Sequence, residues 1–310
     1  MNSHFKNKFP LYIVLAIFCL GCYGNSFAQI KTIPIWEKEI PDEINNSDYK
    51  EVPIYKDSVL QKTSKVTIPT LTIYSPKNPN GTSILIFPGG GYQHLSMYKE
   101  GEKIALWLNS LQITAIVVKY RLPDDKIMTN KSIAPLQDAQ EAIRIIRRNA
   151  ENWKLDKNKI GVIGFSAGGH LASTIATRYD EKTYDSKDTT SAKPDFSILI
   201  YPVISMKTDI SHKGSKTNLL GENPSDKIIE KYSNELQVTA KTPITFLVHA
   251  TDDKSVPVEN AIQYYLALKK NSVAAEMHLF EKGGHGFGLG ENDELWASDC
   301  IKWLKNHKLL

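Results

Sequence analysis

The chain has 310 residues, 41% hydrophobic and 23% charged, with a formal net charge of +4. This is an ordinary globular composition, long enough for one large α/β domain and short for two independent enzyme domains. A charge this small for the size gives no reason to expect nucleic acid or an anionic lipid surface as a partner.

The first element is a leader. Lys6 and Lys8 precede an apolar run over residues 11–20, and Ser26-Phe27-Ala28 places small residues at −3 and −1 of a cut before Gln29. This is the pattern of a secretory signal peptide, so a periplasmic or secreted chain of residues 29–310 is expected. The apolar run is short for a bilayer and no stop-transfer pattern follows, so no membrane span is expected. A lipoprotein at Cys22 is the alternative: Leu20-Gly21-Cys22 partly resembles a lipobox, although Cys19 stands where that motif usually has leucine. With Cys19 and Cys22 in the leader, only Cys300 remains, and no internal disulfide is expected.

Residues 29–80, rich in Pro, Asn, Lys and Thr, read as a lead-in followed by early edge strands around 65–74. From there two periods alternate. Strands are predicted at 83–87, 113–120, 160–165, 196–201, 244–249 and 274–280. Helices are predicted at 100–111, 135–150, after Ser166, at 258–270 and at 293–305. Cys300 falls on the apolar face of the last helix and reads as a small core residue. Residues 179–193 read as a polar surface loop, and 205–225 as a longer polar loop carrying Gly214 and Gly221. Apolar strands alternating with amphipathic helices imply a mostly parallel sheet covered on both faces, with its sites at the carboxyl ends of the strands.

The polar motifs fall at those ends. After the run Ile160–Phe165 comes Ser166, flanked as Gly164-Phe165-Ser166-Ala167-Gly168 and followed by small and apolar residues at helical spacing. A serine on a sharp strand-to-helix turn has its hydroxyl pushed out of the sheet, the nucleophile elbow. A serine alcohol needs a base to take its proton, a partner to fix that base's tautomer, and donors for the oxyanion. His285, in Gly283-Gly284-His285-Gly286-Phe287-Gly288, is the candidate base. Asp252 or Asp253, after the strand ending at His249, is the candidate acid; Asp253 lies three residues before Val256-Pro257, which suits a short loop before a helix. Phe87-Pro88-Gly89-Gly90-Gly91-Tyr92 follows the 83–87 strand, and its glycines let backbone N–H groups approach a ligand; Ala167 supplies the second donor. No Gly-Lys-Ser/Thr follows, which argues against a phosphate loop.

Among the other histidines, His170 reads as a support for the elbow, His249 and His278 as core, and His94 and His212 as loop residues near the cleft. No pair has HxxxH or HxH spacing, so no metal site is expected.

With these segments in place the chain resembles the α/β-hydrolase superfamily, and within it the secreted bacterial acetyl xylan esterase and feruloyl esterase-like group. The resemblance runs from about Ile84 to Phe287. Besides the motifs above it includes Tyr120-Arg121-Leu122, Asp138-Ala139 with Ile143-Arg144, Tyr201-Pro202-Val203, and Val256-Pro257-Val258-Glu259. It implies a catalytic triad of Ser166, Asp253 and His285, with Gly90, Gly91 and Ala167 as oxyanion donors. Pro88 departs from the histidine common in lipase-like relatives, and Ala250 from a usual glycine. The resemblance implies a serine carboxylesterase that removes small acyl groups, chiefly acetate from xylan or xylo-oligosaccharides, with no cofactor. A feruloyl esterase or another carboxylesterase is the alternative within enzymes. A peptidase of this class usually adds a propeller or cap for which there is no room. A catalytically silent carbohydrate-binding relative would have lost a triad residue, and none is lost. Oligomeric state is not legible.

Overall fold

A computed structural model describes residues 29–289 and 296–310. The predicted leader, its cleavage site and the first residues of the last predicted helix lie outside the described residues. The chain opens with β1 (Gln29–Pro34), the hairpin β2 (Val52–Lys56) and β3 (Val59–Ser64), then β4 (Thr70–Ser75), β5 (Ser83–Phe87) and the short β6 (His94–Leu95). A π-helical turn, Tyr98–Glu102, leads into α1 (Lys103–Ser110), followed by β7 (Thr114–Lys119), α2 (Ala134–Arg148), β8 (Ile160–Phe165) and α3 (Ala167–Arg178). The second half carries β9 (Phe196–Ile200), α4 (Lys213–Leu220), α5 (Asp226–Tyr232), β10 (Ile244–Ala250), α6 (Glu259–Lys270), β11 (Ala275–Phe280) and α7 (Ala297–Asn306).

Eight strands form one sheet in the order β1-β4-β7-β5-β8-β9-β10-β11. From β7 to β11 every pairing is parallel, while β1–β4 and β4–β7 are antiparallel. Residues 83–87, 160–165 and 196–200 are buried throughout, as expected of strands covered on both faces. One face packs Leu136, Ala139 and Ile143 of α2, Leu171 and Ile175 of α3, and Tyr264 and Leu268 of α6. The other face packs Ile104 and Leu108 of α1 and Cys300, Trp303 and Leu304 of α7. Cys300 is fully buried, and burial pushes its thiol pKa up.

An ion pair fastens the N-terminal segment to this framework. Arg121, after β7, meets Asp138 of α2 at 2.9 Å, with both side chains buried. Asp138 also accepts the Trp36 indole N–H, and Arg121 donates to the Pro41 carbonyl. Losing one member of such a buried pair strands the other charge, at a cost of about 3–5 kcal/mol.

Four expectations are corrected. The early strand near 65–74 is not an edge: β4 is paired on both sides, and β1 forms the edge. The predicted 100–111 helix begins in a π-helical turn before α1. The polar stretch 205–225 is not all loop, because it contains α4, capped by His212 accepting the Ser215 N–H. His278 is not core: its ring is part exposed and lies 2.8 Å from the Glu276 carboxylate and 3.5 Å from that of Asp299.

Candidate active site

Ser166 sits between β8 and α3 with φ 52° and ψ −119°, a strained conformation for a side-chain-bearing residue that costs about 1–3 kcal/mol. The backbone holds it there. Ser166 N–H donates to the Ile200 carbonyl, and its own carbonyl accepts from Val203 N–H and His170 N–H. The turn closes only because its flanks are glycines: a Cβ on Gly164 would stand 2.3 Å from the Gly168 carbonyl oxygen, and one on Gly168 2.0 Å from that of Phe87.

The ends of β10 and β11 bring the other two groups over the serine. His285 Nε2 is 2.9 Å from Ser166 Oγ, and His285 Nδ1 is 2.7 Å from Asp253 Oδ2. A carboxylate oxygen only accepts, so Nδ1 carries the proton and Nε2 is left as the acceptor for the serine hydroxyl. The Asp253 side chain is fully buried. Burial would raise its pKa, but hydrogen bonds from His249, His285 and the Val256 N–H outweigh burial and hold it well below the usual carboxylate range. Its second oxygen accepts the N–H groups of Ser255 and Val256 at 2.8 and 2.9 Å. Asp252 has a different place: its carboxylate accepts the Gly284 N–H at 2.7 Å and so holds the backbone of the histidine loop.

Gly90 and Gly91 follow β5 at φ 129° and 65°, in a turn where a Cβ on Gly90 would lie 2.1 Å from the His94 carbonyl oxygen. Neighbours pin the turn from several sides. The Pro88 carbonyl accepts the Tyr120 hydroxyl, Gly89 N–H donates to Glu100 Oε2 at 2.8 Å, and the Gly91 carbonyl accepts from Asn218 of α4. The Pro88 contact goes through the backbone carbonyl, which proline presents as well as any other residue. Tyr92 donates its hydroxyl to His170 Nδ1 at 2.8 Å, and His170 Nε2 donates to the Tyr232 carbonyl at 2.8 Å. His170 is fully buried, and burial lowers its pKa to about 4.

His212 lies beside this turn: its Cε1 is 3.6 Å from where a Gly91 Cβ would be. Burial, followed by the nearby His285 charge, lowers the His212 pKa. His94 belongs to β6 and is half-buried. The sequence reading missed three groups. His249, read as core, is buried but donates from Nε2, shared between Asp253 Oδ2 at 3.2 Å and the Val256 carbonyl at 3.0 Å. Glu100 and Tyr201 meet behind the serine at 2.9 Å. His249 carries a signal in its spacing, four residues before Asp253 at a strand end; Tyr201 lies in the Tyr201-Pro202-Val203 segment of the resemblance, which gave it no role, and Glu100 carries no signal. Among the described residues no group of three or more His, Cys, Asp or Glu side chains is arranged to hold a metal ion.

A serine on a strand–helix elbow, a largely parallel sheet with one antiparallel neighbour, and an acid and a histidine arriving later from successive strand ends define an α/β-hydrolase fold. The BD-FAE family matches residues 71–268, and the chain belongs to that family. It is 39% identical over 244 residues to an acetylxylan esterase of Xylanibacter ruminicola, covering 76% of this chain and 48% of that protein. It is 30% identical over 277 residues to endo-1,4-beta-xylanase B of Butyrivibrio fibrisolvens, covering 84% of this chain and 43% of that one. The chain thus spans about half the length of these curated relatives. The crystal structure of an acetyl ester-xyloside bifunctional hydrolase from Caldicellulosiruptor lactoaceticus superposes with a TM-score of 0.74 at 39% identity, covering 90% of this chain and 97% of that one. No helix among the described residues is long and apolar enough to cross a membrane.

Proposed function

We propose that this protein is a serine esterase that removes small acyl groups, chiefly acetyl, from xylan or xylo-oligosaccharides, and that it acts after export through the leader at residues 1–28. The observation that carries the mechanism is the continuous chain Ser166 Oγ–His285–Asp253, with separations of 2.9 and 2.7 Å. Ser166 attacks the acyl carbon while His285 Nε2 takes its proton. Asp253 holds the ring and stabilises the imidazolium. The N–H groups of Gly90, Gly91 and Ala167 receive the oxyanion; in such sites one donor is worth about 10²–10³ in turnover. His285 then protonates the departing sugar hydroxyl. Water, deprotonated by the same nitrogen, attacks the acyl-serine and releases the acid. The substrate class rests on the acetylxylan esterase and acetyl ester-xyloside hydrolase among the relatives.

Ser166→Ala is expected to abolish hydrolysis of p-nitrophenyl acetate while leaving the protein folded, and a fluorophosphonate should label Ser166 in the wild type. Turnover that survives in the alanine variant removes the proposal. Release of acetate from acetylated xylan, set against turnover of methyl ferulate, separates the acetyl reading from a feruloyl esterase.

A further inference from the structure

The triad leaves one buried carboxylate next to it without a task. Glu100, in the π-helical turn before α1, is 6% exposed. Its Oε2 accepts the Gly89 N–H at 2.8 Å, and its Oε1 accepts the Tyr201 hydroxyl at 2.9 Å. The Tyr201 hydroxyl in turn accepts the Gly288 N–H at 3.2 Å. It has one proton, and that goes to Glu100. Tyr201 stands at φ 37°, directly after β9, with its ring 5.0 Å from the His285 ring and 4.5 Å from that of Phe287. A Cβ on Gly89 would be 2.9 Å from both Glu100 Oε2 and the Ser166 Cβ, so the carboxylate and the nucleophile flank the same glycine.

We infer that Glu100 is a positioning residue for the ester-cleaving site: an ionised carboxylate beside Gly89 that clamps the oxyanion turn directly and the histidine loop at Gly288 through Tyr201 into one register, and whose charge offsets the positive charge that His285 takes up during the reaction. The inference rests on the Ser166–His285–Asp253 reading. The Gly89 N–H can only donate, and the Tyr201 hydroxyl makes its one donated hydrogen bond to Glu100, so the hydrogen bonds favour the charged form. Burial is the largest influence on Glu100 and leaves its pKa raised on balance. The Gly89 N–H, the Tyr201 hydroxyl and the charges of His285 and Lys99 act in the opposite direction. Tyr120, which donates to the Pro88 carbonyl, is the other titratable group whose charge couples to it. His285 itself faces Asp253, Tyr201 and the charge of His212, and His249 stands behind Asp253. The clamp matters because the Gly90–Gly91 donors and the His285 ring come from segments far apart in the chain, and catalysis needs them held within about an ångström of their productive places.

The test is the pH profile of p-nitrophenyl acetate hydrolysis by the full chain and by Glu100→Gln, Glu100→Ala and Tyr201→Phe, with thermal unfolding of each. Glu100→Gln keeps the volume and removes the charge. It is expected to lower kcat about 10–100-fold with KM within about threefold, because the loss falls on transition-state geometry and not on binding. Loss of a negative charge beside the imidazolium should also move the acidic limb of kcat/KM to lower pH. Tyr201→Phe leaves the carboxylate in place and cuts the tie to Gly288, so kcat should fall with KM again within about threefold. A Glu100→Gln enzyme with wild-type kcat, or one whose kcat loss matches its loss of folded protein with an unmoved limb, overturns the inference. Ser166→Ala runs alongside. Turnover surviving that substitution removes the triad reading and this role with it, whereas an inactive Ser166→Ala beside an unmoved limb in Glu100→Gln overturns the Glu100 role alone.

Discussion

At the scale of single residues, the two neighbouring aspartates of the β10 loop divide the work of holding one histidine. Asp253 holds the His285 ring and Asp252 the Gly284 backbone. Asparagine at 253 can present a donor to Nδ1 and fix the wrong tautomer, a change that in serine triads costs about 10⁴ in turnover. Asparagine at 252 keeps an acceptor for the Gly284 N–H, so its loss should stay within about tenfold. Steady-state kcat of Asp253→Asn and Asp252→Asn checks this, and equal losses would contradict the division. Spacing left both aspartates open and favoured 253. The physical reason is now visible, since only a carboxylate three residues before Val256 can take the N–H groups of both Ser255 and Val256. Glu100 was out of reach of any such argument. Its partners Gly89 and Tyr201 lie 11 and 101 residues away, and no local pattern links them.

At the scale of elements, the buried parallel strands were the most legible part of the chain, because burial on both faces writes an unbroken apolar run into residues 83–87, 160–165 and 196–200. β4 misled for a related reason. Its Leu71 and Ile73 are buried while Thr70 and Thr72 are half-buried, which is the alternation of a one-faced edge strand, and only the pairing with β1 makes it interior. α4 left no apolar stripe in Lys213-Gly214-Ser215-Lys216-Thr217-Asn218, and its cap is a histidine, an unusual choice. α3 carries a prediction of its own. His170 is neutral in the folded protein, with a pKa near 4 against an ordinary value of 6.5. Between those values the unfolded chain binds a proton that the folded one does not, so stability is retained above about 6.5 and falls as pH drops toward 4. The loss at this one site is on the order of 3 kcal/mol. Thermal unfolding from pH 7 to 4 should therefore fall less steeply in His170→Gln than in the wild type. Parallel slopes would show that the acid sensitivity comes from elsewhere.

At the scale of the whole molecule, the proposed site lies where the β5 turn, α4 and the two late loops converge, with Asn218 of α4 bonded to the Gly91 carbonyl and the His212 ring beside Gly91. Polar groups thus stand over the oxyanion turn, where a lipase would need a greasy channel. Each added methylene alters binding by only about 1–3 kcal/mol, so discrimination should accumulate over several carbons. Rates are expected to fall from acetate through butyrate to octanoate esters, with acetylated xylo-oligosaccharides preferred over simple alkyl acetates. Rates that climb with chain length would point to a lipase-like enzyme. The burial of Cys300 between the sheet and α7 has a consequence of a different kind. It is the one cysteine among the described residues, none of which can pair with it, and its raised pKa keeps it a thiol rather than a reactive thiolate. The architecture from β1 to α7 is therefore indifferent to redox potential: an oxidising surrounding can add no crosslink to it, and a reducing one can take none away.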